Sequence, residues 1–80
     1  QVVPDDDVDA AAAALAQQLA DGPAWALGHA KSIVYAGFDS TLEQAAELEG
    51  VTIAAAMGTH DGREGIAAFV EKRAANFTGN

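Results

Sequence analysis

Cysteine is absent from the 80 residues. Disulfides, a thiolate nucleophile and cysteine-ligated zinc are therefore excluded, and the composition fits a reducing compartment. Basic residues are scarce: four Lys and Arg stand against twelve Asp and Glu, for a formal charge of −8. Residues 1–30 contain no Lys or Arg, so no basic face is available for non-specific nucleic-acid binding. No uncharged apolar run reaches the ~18 residues of a membrane span. No basic segment precedes an apolar one, as a secretory leader would require. Imidazoles number two, His29 and His60, and an isolated pair makes no recognisable metal spacing.

What is abundant is alanine. Half of the chain is hydrophobic by count, yet 20 of those 40 residues are Ala. The 20 larger apolar side chains contribute roughly 1.5–3 kcal/mol each when fully buried. Ordering the backbone costs about 1–2 kcal/mol per residue, so a single small domain of this composition sits near balance. Helix surfaces coated in Ala suit close approach to other helices. The chain is expected to pack on something outside itself.

The pattern predicts an all-α chain of four helices with short loops. Val2-Val3-Pro4 reads as the end of a strand, since the residue before proline avoids the α region. Asp5, Asp6 and Asp7 offer an N-cap and favourable negative charge at a helix start. Residues 1–7 form an incoming linker and 8–80 the helical region. The first helix spans about Val8–Ala20, with Val8, Ala12, Leu15 and Leu19 on one stripe. Asp21-Gly22-Pro23 ends it, and Pro23 takes the first position of the second helix, which runs to about Ala36 with Leu27, Ala30, Ile33 and Val34 inward. Ser40-Thr-Leu-Glu43 has the spacing of a capping box for a third helix carrying Leu42, Ala45, Ala46, Ile53 and Met57. Gly50 inside it costs about 1 kcal/mol relative to Ala, which points to close packing or a bend. Asp61-Gly-Arg-Glu64 is a second such box, opening a helix to about Ala74 with Ile66, Phe69, Val70 and Arg73 on one face.

Several residues invite a chemical role. His60 beside Asp61 could be half of a catalytic arrangement, although a loop histidine next to a capping aspartate explains the pair. His29 follows Trp25 by one turn and suits packing or hydrogen bonding. Glu49 lies near the apolar stripe, where a carboxylate could gain a raised pKa; an ion pair is the plainer role. Gly37-Phe-Asp-Ser40 resembles the attachment site of acyl and peptidyl carrier proteins, which implies phosphopantetheine on Ser40. An N-cap serine explains the same residue.

The most specific pattern lies late: Thr59-His-Asp-Gly-Arg-Glu-Gly65-Ile-Ala-Ala-Phe69-Val-Glu-Lys72-Arg73, then Asn76-Phe77. It resembles the C-terminal signature of the enoyl-CoA hydratase/isomerase (crotonase) family. Upstream, Gln1-Val-Val-Pro-Asp-Asp, Leu15-Ala-x-x-Leu19-Ala-x-Gly-Pro23, Ala30-Lys31, Leu42-Glu43 and Glu47-Leu48-Glu49 continue the likeness. One departure is Ala74-Ala75, where many relatives carry a proline.

The resemblance implies a C-terminal helical region whose β-rich N-terminal core lies outside the 80 residues. It implies acyl-CoA thioester chemistry, trans-2-enoyl-CoA hydration first and isomerisation, including ring-epoxide isomerisation, second. The oxyanion donors and catalytic carboxylates of such enzymes lie in that core, so no catalytic residue and no metal ligand is assigned here. Coenzyme A enters as part of the substrate, with no separate cofactor. Phe69 and Lys72 match positions that contact the coenzyme A of an adjacent subunit, and Arg73 suits a structural ion pair. The implied partners are the acyl-CoA substrate, the N-terminal core and further copies, as a homo-trimer or hexamer, with neither nucleic acid nor membrane. The implied compartment is cytoplasmic, with the mitochondrial matrix as the alternative. Alone, the chain is expected to be a loose or self-associating helical bundle without hydratase activity.

Overall fold

A computed structural model describes residues 1–80. A single 3₁₀ turn over Asp5–Asp7 leads into α1 (Val8–Ala20), α2 (Ala24–Gly37), α3 (Leu42–Met57) and α4 (His60–Glu71). The chain is all-α, as its periodicity predicts. Residues 1–4 form no strand, because the neighbours that a Val-Val-Pro strand needs are not present.

The helix starts differ from expectation in register. Asp5–Asp7 make no side-chain cap, and Pro23 is the N-cap of α2 rather than its first residue. The α3 box closes one residue later than predicted. Thr41 Oγ1 accepts from the Gln44 N–H at 3.2 Å, and Gln44 Oε1 accepts from the Thr41 N–H at 3.0 Å. Both Ser40-x-x-Glu43 and Thr41-x-x-Gln44 satisfy the pattern; the structure takes the second. Ser40 Oγ is buried without a partner. At α4, Thr59 caps, accepting from the Gly62 N–H at 2.9 Å, which frees Asp61 and Glu64 for other work. The fourth helix stops at Glu71, with Lys72 in the left-handed region at φ 55°.

Neighbouring helices pack in sequence, α1 on α2, α2 on α3 and α3 on α4, without closing into a bundle. The result is a slab of 44 × 37 × 19 Å with a radius of gyration of 15.6 Å, against about 12 Å for a compact chain of this length. Exposed surface is 6205 Å², where a folded monomer of this mass shows about 4,500 Å². Only Ala68 and Asp61 are buried. The predicted stripe residues Val8, Leu15, Leu19, Val34, Leu42, Ile53, Met57 and Ile66 are all exposed, because no layer of the chain covers them.

The close approach lies between α3 and α4, at Gly62. A Cβ there would overlap the Ala56 carbonyl oxygen and stand 3.1 Å from Met57 Cα. Gly50, by contrast, has open space around it, so the expected packing role belongs to a different glycine.

Candidate functional site

The densest polar arrangement gathers at α4 and the tail that folds back along it. Its foundation is the α3–α4 turn. Thr59 Oγ1 donates to the Ala56 carbonyl at 2.7 Å, and Arg63 Nη1 reaches the Gly58 carbonyl at 2.7 Å, satisfying the end of α3. Asp61, one turn on, is 2% exposed. Its carboxylate accepts from the Thr78 N–H at 2.8 Å and the Gly79 N–H at 2.7 Å. His60 Nδ1 lies 3.2 Å away. The Thr78 N–H foremost, then His60 and Gly79, hold Asp61 below the ordinary carboxylate range against the opposing effect of burial.

Glu64, the next acid on α4, meets Arg73 as a two-pronged pair, Nη1 to Oε1 at 2.6 Å and Nη2 to Oε2 at 3.0 Å. The Asn76 N–H adds a third bond to Oε1 at 2.8 Å. Arg73, then the Asn76 amide, lower Glu64 to about 2, and the same pair raises Arg73. Arg73 is thus the structural ion pair its position suggested.

These bonds carry the tail past an apolar cavity of about 360 Å³ lined by Trp25, Ile66, Phe69 and Phe77 among others. Phe69 is 85% exposed and is therefore not a core residue of this chain. Lys72 follows three residues later, just past the helix, as its left-handed C-cap. Both side chains are exposed.

The remaining candidates separate from this site. His29 stacks on Trp25, ring centroids 3.6 Å apart, with Nδ1 2.8 Å from the Trp25 carbonyl oxygen. Glu49 is exposed at the rim of a cavity with Ile33 and Ile53. No three His, Asp or Glu side chains converge. Sequence reading did not single out Thr59 as the cap or Thr78 and Gly79 as the tail contacts. Thr59 is a suitable cap residue, but Gly62 three residues on completes no box, and Asp61-x-x-Glu64 was the stronger pattern.

All 80 residues match the family model described as enoyl-CoA hydratase/isomerase. A Mycobacterium tuberculosis protein named as an enoyl-CoA hydratase is 40% identical over 78 residues, covering 98% of this chain and 30% of its own length. The 1,2-epoxyphenylacetyl-CoA isomerase of Escherichia coli is 37% identical over 79 residues, 99% of this chain and 30% of that protein. A Streptomyces coelicolor crystal structure described as an enoyl-CoA hydratase superposes with a TM-score of 0.91 at 39% identity, covering all of this chain and 29% of that one.

The chain belongs to the enoyl-CoA hydratase/isomerase family.

It spans about 30% of the length of these relatives and corresponds to the helical C-terminal part of the crotonase fold. No helix is long and apolar enough to cross a membrane.

Proposed function

We propose that these helices complete an acyl-CoA-processing enzyme of fatty-acid β-oxidation type, closing its coenzyme A site and contributing to assembly of a homo-trimer or hexamer. The parent reaction is hydration of a trans-2-enoyl-CoA. The single observation that supports this most is the family match along the whole chain. The exposed area adds weight: it exceeds that of a compact monomer by about 1,700 Å², roughly twice the ~800 Å² that one partner buries in a standard interface. A core layer and a neighbouring subunit together would account for it.

Phe69 and Lys72 are the residues offered to coenzyme A. An exposed ring can stack on a flat base, and an ammonium on a flexible stem is a point charge suited to phosphate. In a chain of net charge −8, the Lys72 end of α4 is where an anionic nucleotide is welcome. Isomerisation is the second reading, favoured by the 37% identity to the 1,2-epoxyphenylacetyl-CoA isomerase of Escherichia coli. A carrier role at Ser40 is set aside, because its buried Oγ offers no approach to a transferase. The compartment proposed is the cytoplasm, with the mitochondrial matrix as alternative.

The test is performed on the full-length polypeptide. Turnover of crotonyl-CoA is expected, and F69A and K72A are each expected to weaken binding of free coenzyme A. Absence of turnover with both an enoyl-CoA and an epoxyacyl-CoA would overturn the reading.

A further inference from the structure

Phe77 lies in a tail without regular structure, yet it is half-buried and its position is strongly determined. The amides on either side of it are both tied to α4. Asn76 donates to Glu64 at 2.8 Å, and Thr78 donates to Asp61 at 2.8 Å. Gly79 adds a bond to the second Asp61 oxygen at 2.7 Å. Two carboxylates three residues apart on one helix thus bracket a single aromatic residue.

The ring they place fills a notch. Gly65 precedes Phe69 by four residues, so the two share a face of α4. Having no side chain, Gly65 leaves room above the helix. Phe77 Cε1 and Cζ lie 3.5 and 3.8 Å from the point where a Gly65 Cβ would stand. Phe77 and Phe69 then line the same apolar cavity. The tail therefore lays one ring along the face of α4, a turn before the exposed ring of Phe69.

We infer that Phe77 is a second ring of the coenzyme A-facing surface, and that Asp61 and Glu64 are positioning residues that hold it there. The inference rests on the reading that Phe69 meets coenzyme A, and it deepens that reading. The recognised group is a flat heteroaromatic ring, the adenine. Two rings offer it more apolar area than one, and the strap fixes where the second stands.

The experiment is calorimetric titration of free coenzyme A into the full-length polypeptide. F77L keeps an apolar side chain but loses the flat ring, and weakens binding about three- to tenfold, the worth of an aromatic pairing. F77Y keeps the ring and restores affinity to within about twofold. D61N weakens binding by a similar factor, and D61N with F77L is no worse than F77L alone, because the carboxylate acts through the ring. Wild-type affinity in F77L overturns the inference, as does a D61N penalty that adds to that of F77L. Should D61N fail to fold, the F77L and F77Y pair still decides. If F77L binds normally while F69L is weakened, only this inference falls. If F69L also binds normally, the coenzyme A reading falls with it.

Discussion

Substituting Gly62 by Ala places one methyl group against backbone, not against a side chain that can turn away. The new Cβ would overlap the Ala56 carbonyl oxygen and approach its carbon to 2.9 Å, inside the 3.0 Å that Cβ atoms keep. Relief requires the start of α4 to move by the order of an ångström. That movement has a local cost. The same Ala56 carbonyl accepts from the Thr59 N–H at 3.0 Å and from Thr59 Oγ1 at 2.7 Å, and Thr59 caps Gly62 at 2.9 Å. Losing the cap costs about 1 kcal/mol, and overpacking costs typically 1–3 kcal/mol. The helix-propensity gain of Ala over Gly offsets at most about 1 kcal/mol. The net loss is thus about 1–4 kcal/mol. Denaturant unfolding of full-length G62A against wild type measures it. A G62A midpoint equal to or above wild type would refute the close approach of α3 and α4. In the 80-residue chain alone, G50A is the matched comparison: its Cβ meets nothing within 4 Å, and helix content is expected to rise.

Acid should release the strap in a defined window. Glu64 titrates at about 2 in the fold against 4.5 without partners. Its stabilisation is complete above about pH 4.5 and is lost as pH falls through 2. The Asn76 amide resonance should therefore shift with a midpoint near 2, and E64Q should abolish that step; a midpoint near 4.5 would contradict the Arg73 pairing. At the α3 start, S40A is expected to leave stability unchanged or raise it by up to about 1 kcal/mol, since Ser40 Oγ has no partner. T41A is expected to cost about 1 kcal/mol. The reverse order in denaturant unfolding would restore Ser40 as the cap. The isolated chain should bind a hydrophobic dye, self-associate in sedimentation and leave crotonyl-CoA unchanged; a compact, dye-silent monomer would contradict the area argument.

Helix existence was legible because Ala, Leu and the apolar stripes repeat at the helical period. Boundaries were legible where one signal stood alone, as at Val8–Ala20. They slipped where two overlapping patterns competed. Ser40 and Thr41 both begin a capping box, and only backbone geometry separates them. Asp61 reads as a cap from its spacing to Glu64, but its partners Thr78 and Gly79 lie 17 and 18 residues away. No local periodicity reports a contact at that range. Likewise a stripe identifies which face of a helix is apolar, not what covers it, so Leu15 and Ile53 read as core and are exposed. Phe69 and Lys72 came from the family likeness. Spacing alone places Phe69 inside a core and Lys72 on the surface; the chain exposes both.

The two halves of the chain draw on different sources of order, and this bears on how the isolated chain behaves. Residues 56–80 bind themselves. Both buried residues, Asp61 and Ala68, lie there, as do the Thr59 cap, the Glu64–Arg73 pair and the tail bonds. In residues 1–37 the bonds beyond the helix ladders are few and local, such as Gln17 Nε2 to Asp21 at 2.8 Å, and the apolar stripes face outward. Local opening follows burial and tertiary bonding. In the isolated chain, amides of α4 and of Thr78 and Gly79 should therefore exchange more slowly than those of α1, although α1 is richer in Ala. Intrinsic propensity alone predicts the opposite order, since Ala is the strongest helix former and α4 carries two glycines, Gly62 and Gly65. Hydrogen exchange read residue by residue separates the two. Slow exchange in α1 with fast exchange in α4 would show that propensity, not the carboxylate strap, orders this region.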